Sequence, residues 1–482
     1  MDFMLYILLA VLLGAIMALS LNTMRFRGKK TGFLEPLHFE LSEGVVDKLK
    51  HAVSIKSVSH SDYSRNNLDE FRKIIPFIEE NYPLVTSRLG FETLNDYSCL
   101  IRWPGKDEKL KPVLLLSHFD VVPVVKENWT ADPFGGEEKD GFIWGRGTLD
   151  TKNTFTSILE SAEQLLSRDF IPNRTIYMAF GGDEETQGTL GAGVISSHLK
   201  KKGIEFDWLL DEGGVVAENA LPIVKEPLAL VGISEKGYVN IRIAAEGRGG
   251  HSSMPPAHSA AGLVAKAVSS VENRPFPAKL TPTIKAFFKG LVSHVSFPLA
   301  VVLANYRIFS PLIKKLLLCG DQTAALLRTT QAVTILRSGE KENVLPSSGE
   351  AIINLRILPG ESVDSSLGRI GKLLKKQPVT VENYNDSDSN NPIEESDMES
   401  DAYKLIGSVI GGVFPGTVTA PYMMTGATDS KHYRKVCSNI YRFSPMSLTS
   451  DEIALIHSAD ERISLENYRK AIQFYMTLIK EI

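Results

Sequence analysis

Between residues 43 and 82 the apolar positions recur every three or four residues. Asp69-Glu70-Phe71 leads into Ile74, Ile75 and Phe77, and this spacing predicts helix. The pattern then changes to short unbroken apolar runs: Val113-Leu114-Leu115-Leu116, Thr175-Ile176-Tyr177-Met178-Ala179-Phe180 and Phe206-Asp207-Trp208-Leu209-Leu210. Such runs predict strands covered on both faces, as in a mainly parallel sheet. Residues 154–167 and 193–201 return to helical spacing, so strand and helix alternate as crossover units do, and the expected core is a layered α/β sheet.

Around Val231 the rhythm becomes alternating. Tyr238-Val239-Asn240-Ile241-Arg242-Ile243 predicts a strand with one wet face, followed by helix at 260–271, strands at 332–336 and 351–357, and a closing helix at 365–376. Residues 383–401 form a polar, acidic connector that reads as a solvated loop, after which crossover-like apolar segments resume. A chain of 482 residues exceeds what one hydrophobic core usually organises. The expected division is an apolar terminal segment at 1–30, a core in two parts at 36–231 and 382–482, and a smaller α+β unit inserted at 232–381. No repeat of solenoid period occurs.

Composition narrows the class. Hydrophobic residues at 43% and charged residues at 23% describe a body that folds in water. A net charge of -4, with no basic stripe interleaved with aromatics, excludes a nucleic-acid partner. Cys99, Cys319 and Cys437 form no C-x-x-C pair, which argues against a disulfide framework or a thiolate metal site. Residues 3–21 carry no charge over nearly the ~20 residues that span a bilayer. Asp2 before them and Arg25, Arg27, Lys29 and Lys30 after them favour an uncleaved membrane anchor, although Ala18-Leu19-Ser20 would serve as a cleavage site. The expectation is therefore a secretory-pathway protein, membrane-anchored or secreted. Its side of the membrane is left open: the basic flank by itself would keep the body in the cytosol, and the sequons at Asn128, Asn173 and Asn385 are no more than chance would give.

In open α/β sheets reactive groups gather at the carboxyl ends of strands. Ser117-His118-Phe119-Asp120 follows the first run, Asp183-Glu184-Glu185 the second and Asp211-Glu212 the third. Asp150 lies where a Gly-rich loop enters a helix, and His457 stands in Ile456-His457-Ser458-Ala459-Asp460-Glu461-Arg462. Singly, each reads as a hydrogen-bonded core residue or a wet helix start. Together they make an anionic cluster that repels itself unless a cation sits in it, and imidazole with carboxylate suits a catalytic zinc or a related divalent ion. No G-x-S-x-G elbow follows a strand, which disfavours a serine hydrolase.

These runs, with Gly145-Arg146-Gly147-Thr148-Leu149-Asp150-Thr151-Lys152 and Gly249-Gly250-His251-Ser252, resemble the signature set of the aminoacylase and carboxypeptidase family of two-zinc metallopeptidases. The resemblance runs from about residue 41 onward. Asn343-Val344-Leu345-Pro346, Asn354-Leu355-Arg356 and Thr428-Asp429-Ser430 are similar to the branch holding carboxypeptidase S and the N-fatty-acyl-amino-acid synthase/hydrolases. It implies an α/β zinc-peptidase core whose inserted α+β unit is a lid and dimerisation domain. It also implies two Zn(2+) ions per subunit on His118, Asp150, Glu185, Glu212 and His457, with Asp150 bridging and Asp211 the runner-up to Glu212. Asp120 would orient His118, Glu184 would act as general base, and His251 would reach the developing oxyanion, often from the partner subunit of a homodimer. Arg356 would clamp a substrate carboxylate, with Asn343 and Gly426 lining the same pocket.

The implied activity is hydrolysis of N-acyl amino acids, reversible to synthesis from fatty acid and amino acid. The alternatives are a carboxypeptidase or dipeptidase acting on small peptides, and a catalytically dead membrane-anchored binding protein. Residues 275–330 depart from compact relatives through a greasy insert including Phe287-Phe288 and Leu316-Leu317-Leu318. Two readings stand for it: selection of long acyl chains, at roughly 0.8 kcal/mol per buried methylene, or thickening of the second domain or its subunit contact.

Overall fold

The computed structural model describes residues 2–27, 32–386 and 389–482, with side chains from residue 12 onward. Its largest sheet holds eight strands in the order Gly90–Leu94, Ser98–Trp103, Ile176–Gly181, Val113–His118, Trp208–Ala217, Ile440–Leu448, Leu228–Glu235, Val418–Met424. The third to sixth of these run parallel. Every residue of Val113–His118 and of Ile176–Gly181 is buried, because both faces are covered. Val113 and Leu115 point into a core shared with Phe155, Ile158, Phe474 and Leu478 of helices Lys152–Leu166 and Leu465–Glu481. Leu114 and Leu116 point the other way, onto Ile195 and Leu199 of helix Ala192–Lys201.

A second sheet, antiparallel, has the order Thr330–Ser338, Ser348–Ile357, Gly237–Glu246, Thr380–Asn383. Strand Gly237–Glu246 alternates buried and wetter positions along its length. Val239, Ile241 and Ile243 bury against Ala267 and Val271 of helix Ala260–Glu272 and Ile370 and Leu374 of helix Val363–Leu374. Ser259 and Ser362 cap those helices by accepting backbone N–H bonds from Gly262 and Ser365. Only Lys236 separates the last strand residue of one sheet, Glu235, from the first of the other, Gly237.

Two placements differ from the sequence expectations. The third apolar run does not end its strand at Leu210. The strand continues to Ala217, and its pairing with Val113–His118 stops at Leu210 while its register against Ile440–Leu448 breaks between Asp211 and Gly214. Loss of the neighbour, not the end of the strand, is what opens the rim at Glu212. The insert also packs elsewhere. It folds as helices Pro282–Leu291, Phe297–Ala304, Tyr306–Leu317 and Asp321–Leu327, whose core includes Val224, Leu228 and Val418. It therefore covers the edge of the large sheet at Val418–Met424, where unpaired backbone needs shelter, and does not thicken the four-stranded sheet.

The first helix spans Asp2–Met24 and is tied to the insert by Asn22, which donates to the Ala304 carbonyl (3.2 Å) and to Asn305 Oδ1 (2.9 Å). Among the described residues no helix is long and apolar enough to cross a membrane. The side chains of residues 1–11, half of the expected anchor, and residues Lys29 and Lys30 of its basic flank lie outside those described.

Candidate metal centre

His118, the last residue of its strand, is almost wholly buried, and its Nε2 lies 3.2 Å from both Asp150 Oδ1 and Glu212 Oε1. The other carboxylate oxygen of Asp150, Oδ2, lies 2.8 Å from His457 Nε2, which in turn lies 3.2 Å from Glu185 Oε1. The five residues form two imidazole–carboxylate triplets that share Asp150. Glu184 Oε2 stands farther off, 4.0 Å from His118 Nε2. Potential ligand atoms of His118, Glu184 and Glu212, and of His118, Asp150 and Glu185, lie within 4.8 Å of one another. Asp211 is turned to the backbone, accepting from Glu212 N and Ser430 N at 2.9 Å each. Glu212 therefore faces the cluster and Asp211 holds the strand behind it.

Asp120 links three of these groups. Its Oδ1 accepts from Glu184 N (3.1 Å) and its Oδ2 from Glu185 N (3.2 Å) and the Ser59 hydroxyl (2.7 Å). His118 Nδ1 lies 3.1 Å from the Asp120 carbonyl oxygen and 3.3 Å from Oδ1. A hydrogen bond at this position leaves Nε2 free to face the cluster.

Glu461, fully buried, is a participant the sequence reading passed over. It accepts from Arg146 Nη1 (2.5 Å) and from the backbone N–H of Gly147 (3.0 Å), Leu149 (2.7 Å) and Asp150 (3.2 Å). Arg146 Nη2 also donates to the His457 carbonyl at 3.2 Å. One ion pair thus clamps the loop bearing Asp150 to the loop bearing His457. Its signal was Arg146 between two glycines, a buried cation in want of an acid; Glu461 itself looks like one more solvated carboxylate beside Asp460.

Burial governs the electrostatics. It pushes the Glu212 carboxyl up to about 8 and raises Glu184 well above, and Glu185 above, the ordinary carboxylate range. Burial acts the same way on Asp150, but hydrogen bonds with His118 and His457 outweigh it and hold that carboxyl low. His457 rises to about 10 through its contacts with Asp150 and Glu185. Burial opposes the charged form of His118, yet Glu212, Asp120 and Asp150 together raise it well above its usual value. Glu185 Oε1 is buried and makes no hydrogen bond of proper geometry despite its nearness to His457. A pocket that holds its carboxylates against water and leaves an acceptor unsatisfied fits divalent cations, and its two imidazoles with carboxylates fit a catalytic site.

The remaining candidates stand apart from the cluster. His251 is exposed, its Nδ1 accepting from Ser253 N (3.1 Å) and lying 2.8 Å from the Ser253 hydroxyl. His251 pairs with Val344 across two short strands, and the main-chain carbonyl of Asn343, the residue before Val344, accepts from Ser252 N at 3.2 Å. Arg356 lies over the Tyr238 ring at 4.8 Å, and Gly426 is exposed with open space where a Cβ would project. Among the described residues no hydrogen bond or ion pair joins these four to the cluster.

A mainly parallel α/β sheet with imidazole and carboxylate converging at its open rim has the form of a metal-dependent hydrolase. The chain belongs to peptidase family M20/M25/M40, which matches residues 114–481. It is 37% identical over 482 residues to probable carboxypeptidase S-like 2 of Dictyostelium discoideum, covering 98% of this chain and 92% of the relative. It is 37% identical over 477 residues to the N-fatty-acyl-amino acid synthase/hydrolase PM20D1 of Xenopus tropicalis, covering 98% and 93%. Its fold is similar to that of an M20 family metallo-carboxypeptidase, Sso-CP2 of Sulfolobus solfataricus, with a TM-score of 0.68 at 17% identity over 91% of this chain and 99% of that one.

Proposed function

We propose that this chain is a two-zinc amidohydrolase that splits the amide of N-fatty-acyl amino acids and, where fatty acid and amino acid are abundant, joins them. The observation that carries the reading is Asp150, whose two oxygens face two different imidazoles, the arrangement a carboxylate bridging two ions requires. His118, Glu212 and Asp150 would hold one ion; His457, Glu185 and Asp150 the other. When bound, the ions supply Lewis acidity toward the amide carbonyl and make a water more acidic.

The chain's own residues do the rest. Glu184, not needed as a ligand and held by the bond from its N–H to Asp120, takes a proton from the attacking water and hands one to the leaving nitrogen. Asp120 fixes the orientation of His118 and the position of the base. Arg356 pairs with the substrate carboxylate through parallel hydrogen bonds, Asn343 and Gly426 line the same pocket, and His251 serves the developing oxyanion from the partner subunit of a homodimer. Within residues 232–381 the four-stranded layer acts as the lid. The apolar N-terminal helix supports a secretory-pathway protein, membrane-anchored or secreted.

Similarity to a named synthase/hydrolase over 98% of the chain supports the acyl-amino-acid substrate. Equal similarity to a carboxypeptidase S-like protein supports the second reading, release of C-terminal residues from small peptides. Relative rates on oleoyl-phenylalanine and on blocked dipeptides decide between them, and faster peptide cleavage removes the substrate assignment. Retention of all five metal-facing residues and the base weighs against a dead binding protein. Glu184→Gln is expected to keep its metal, measured by plasma emission, and to lose turnover by about 10²–10⁴-fold; unchanged turnover excludes Glu184 as the base.

A further inference from the structure

Helix Tyr306–Leu317 carries more apolar surface than the protein covers. Tyr306, Phe309, Ile313 and Leu317 pack into the core of the insert. Ile308, Leu312 and Leu316, spaced one turn apart beside that buried face, are 67%, 49% and 62% exposed. Arg307, Lys314 and Lys315 occupy the remaining arc. The apolar surface continues on the N-terminal helix, where Leu13, Ile16, Met17 and Leu21 are exposed. The two surfaces meet at Asn305, which donates to the Leu19 carbonyl (3.2 Å) and accepts from Asn22 (2.9 Å).

Charge names the partner. Residues 273–320 hold seven Lys and Arg and no Asp or Glu, in a chain whose net charge is -4. An exposed apolar stripe marks a docking surface. A helix with a broad apolar arc and a basic polar arc is the form that lies in the plane of a bilayer, drawn by anionic headgroups. We propose that helix Tyr306–Leu317 seats this protein on an anionic lipid surface, with Ile308, Leu312 and Leu316 inserted and the basic residues at headgroup level. The N-terminal helix lies against the same surface. This inference does not depend on the substrate assignment.

Cys319, just beyond the helix, is exposed, whereas Cys99 and Cys437 are buried, so the untruncated 482-residue chain accepts a polarity-sensitive nitrobenzoxadiazole label there without mutation. Phosphatidylcholine vesicles containing phosphatidylserine should shift the label's emission to the blue, spin-labelled lipid should quench it, and phosphatidylcholine alone should do so more weakly. Leu312→Glu with Leu316→Glu, both at exposed positions, should abolish the shift. No shift with anionic vesicles overturns the proposal. A shift that appears without vesicles and grows with protein concentration also overturns it, because the face is then occupied by a second copy of the chain.

Discussion

His118 and His457 face opposite oxygens of one carboxylate, yet their surroundings differ sharply. The first is 1% exposed and closes a strand in the middle of the sheet; the second is 48% exposed and sits on a loop. The buried half is built by the same packing that builds the core, so its geometry is as rigid as the strands that carry it. The open half depends on one residue outside the cluster, Glu461, which reaches across to the Asp150 loop. A site assembled this way has a half enclosed by the core and a half open to solvent.

The largest test of that contrast is paired substitution. His118→Ala removes the partner of two buried carboxylates and is expected to destabilise the metal-free fold by about 3 kcal/mol. His457→Ala, half in solvent, should cost under about 1 kcal/mol while releasing one ion and leaving the other. Denaturant midpoints and metal content measured on both variants check this, and equal losses would erase the distinction. Next, Glu461→Gln keeps the shape of the clamp but weakens its bond to Arg146. It should lower metal affinity by about 10–100-fold, read by chelator competition. Retention of wild-type affinity would show that the open half needs no clamp.

The smallest expected effect is on pH. In metal-free protein burial pushes the Glu212 carboxyl up to about 8 from its ordinary 4.5, and hydrogen bonds with Asp150 and Glu185 lift His457 to about 10 from its ordinary 6.5. Both groups bind their proton more tightly folded than unfolded. The contribution of Glu212 is therefore full below about 4.5 and is lost as pH rises through about 8, and that of His457 is full below about 6.5 and lost through about 10. Metal-stripped protein should unfold at lower denaturant at pH 8 than at pH 6, and metal should flatten the difference. A midpoint rising with pH in stripped protein would contradict the burial argument.

Much of the buried half was legible in the sequence. Unbroken apolar runs imply strands covered on both faces, and the strand-end census brought His118, Glu185 and Glu212 to one rim because strand ends in such sheets share a side, while Asp150 was read from a Gly-rich loop at the mouth of a helix. His457 had no such support; local spacing does not say where a loop lands, and only its family resemblance put it there. Glu461 escaped both routes because its role comes from four donors distant in sequence. The location of the insert was equally hidden, since helical periodicity in Ile284, Phe288 and Leu291 says that a face is buried but not against which sheet. Asp211 and Glu212, adjacent and chemically alike, were ranked by the resemblance alone; their different directions come with the register break beside them.

The clamp at Glu461 bears on the order in which this molecule becomes competent. Its bond to Asp150 N closes a loop of 311 residues, a contact whose entropy must be lost before it returns any stability. During refolding, the central strands can collapse and present His118 while the second imidazole is still unattached. If the site holds the two ions proposed above, capture of the second should therefore lag behind the recovery of secondary structure.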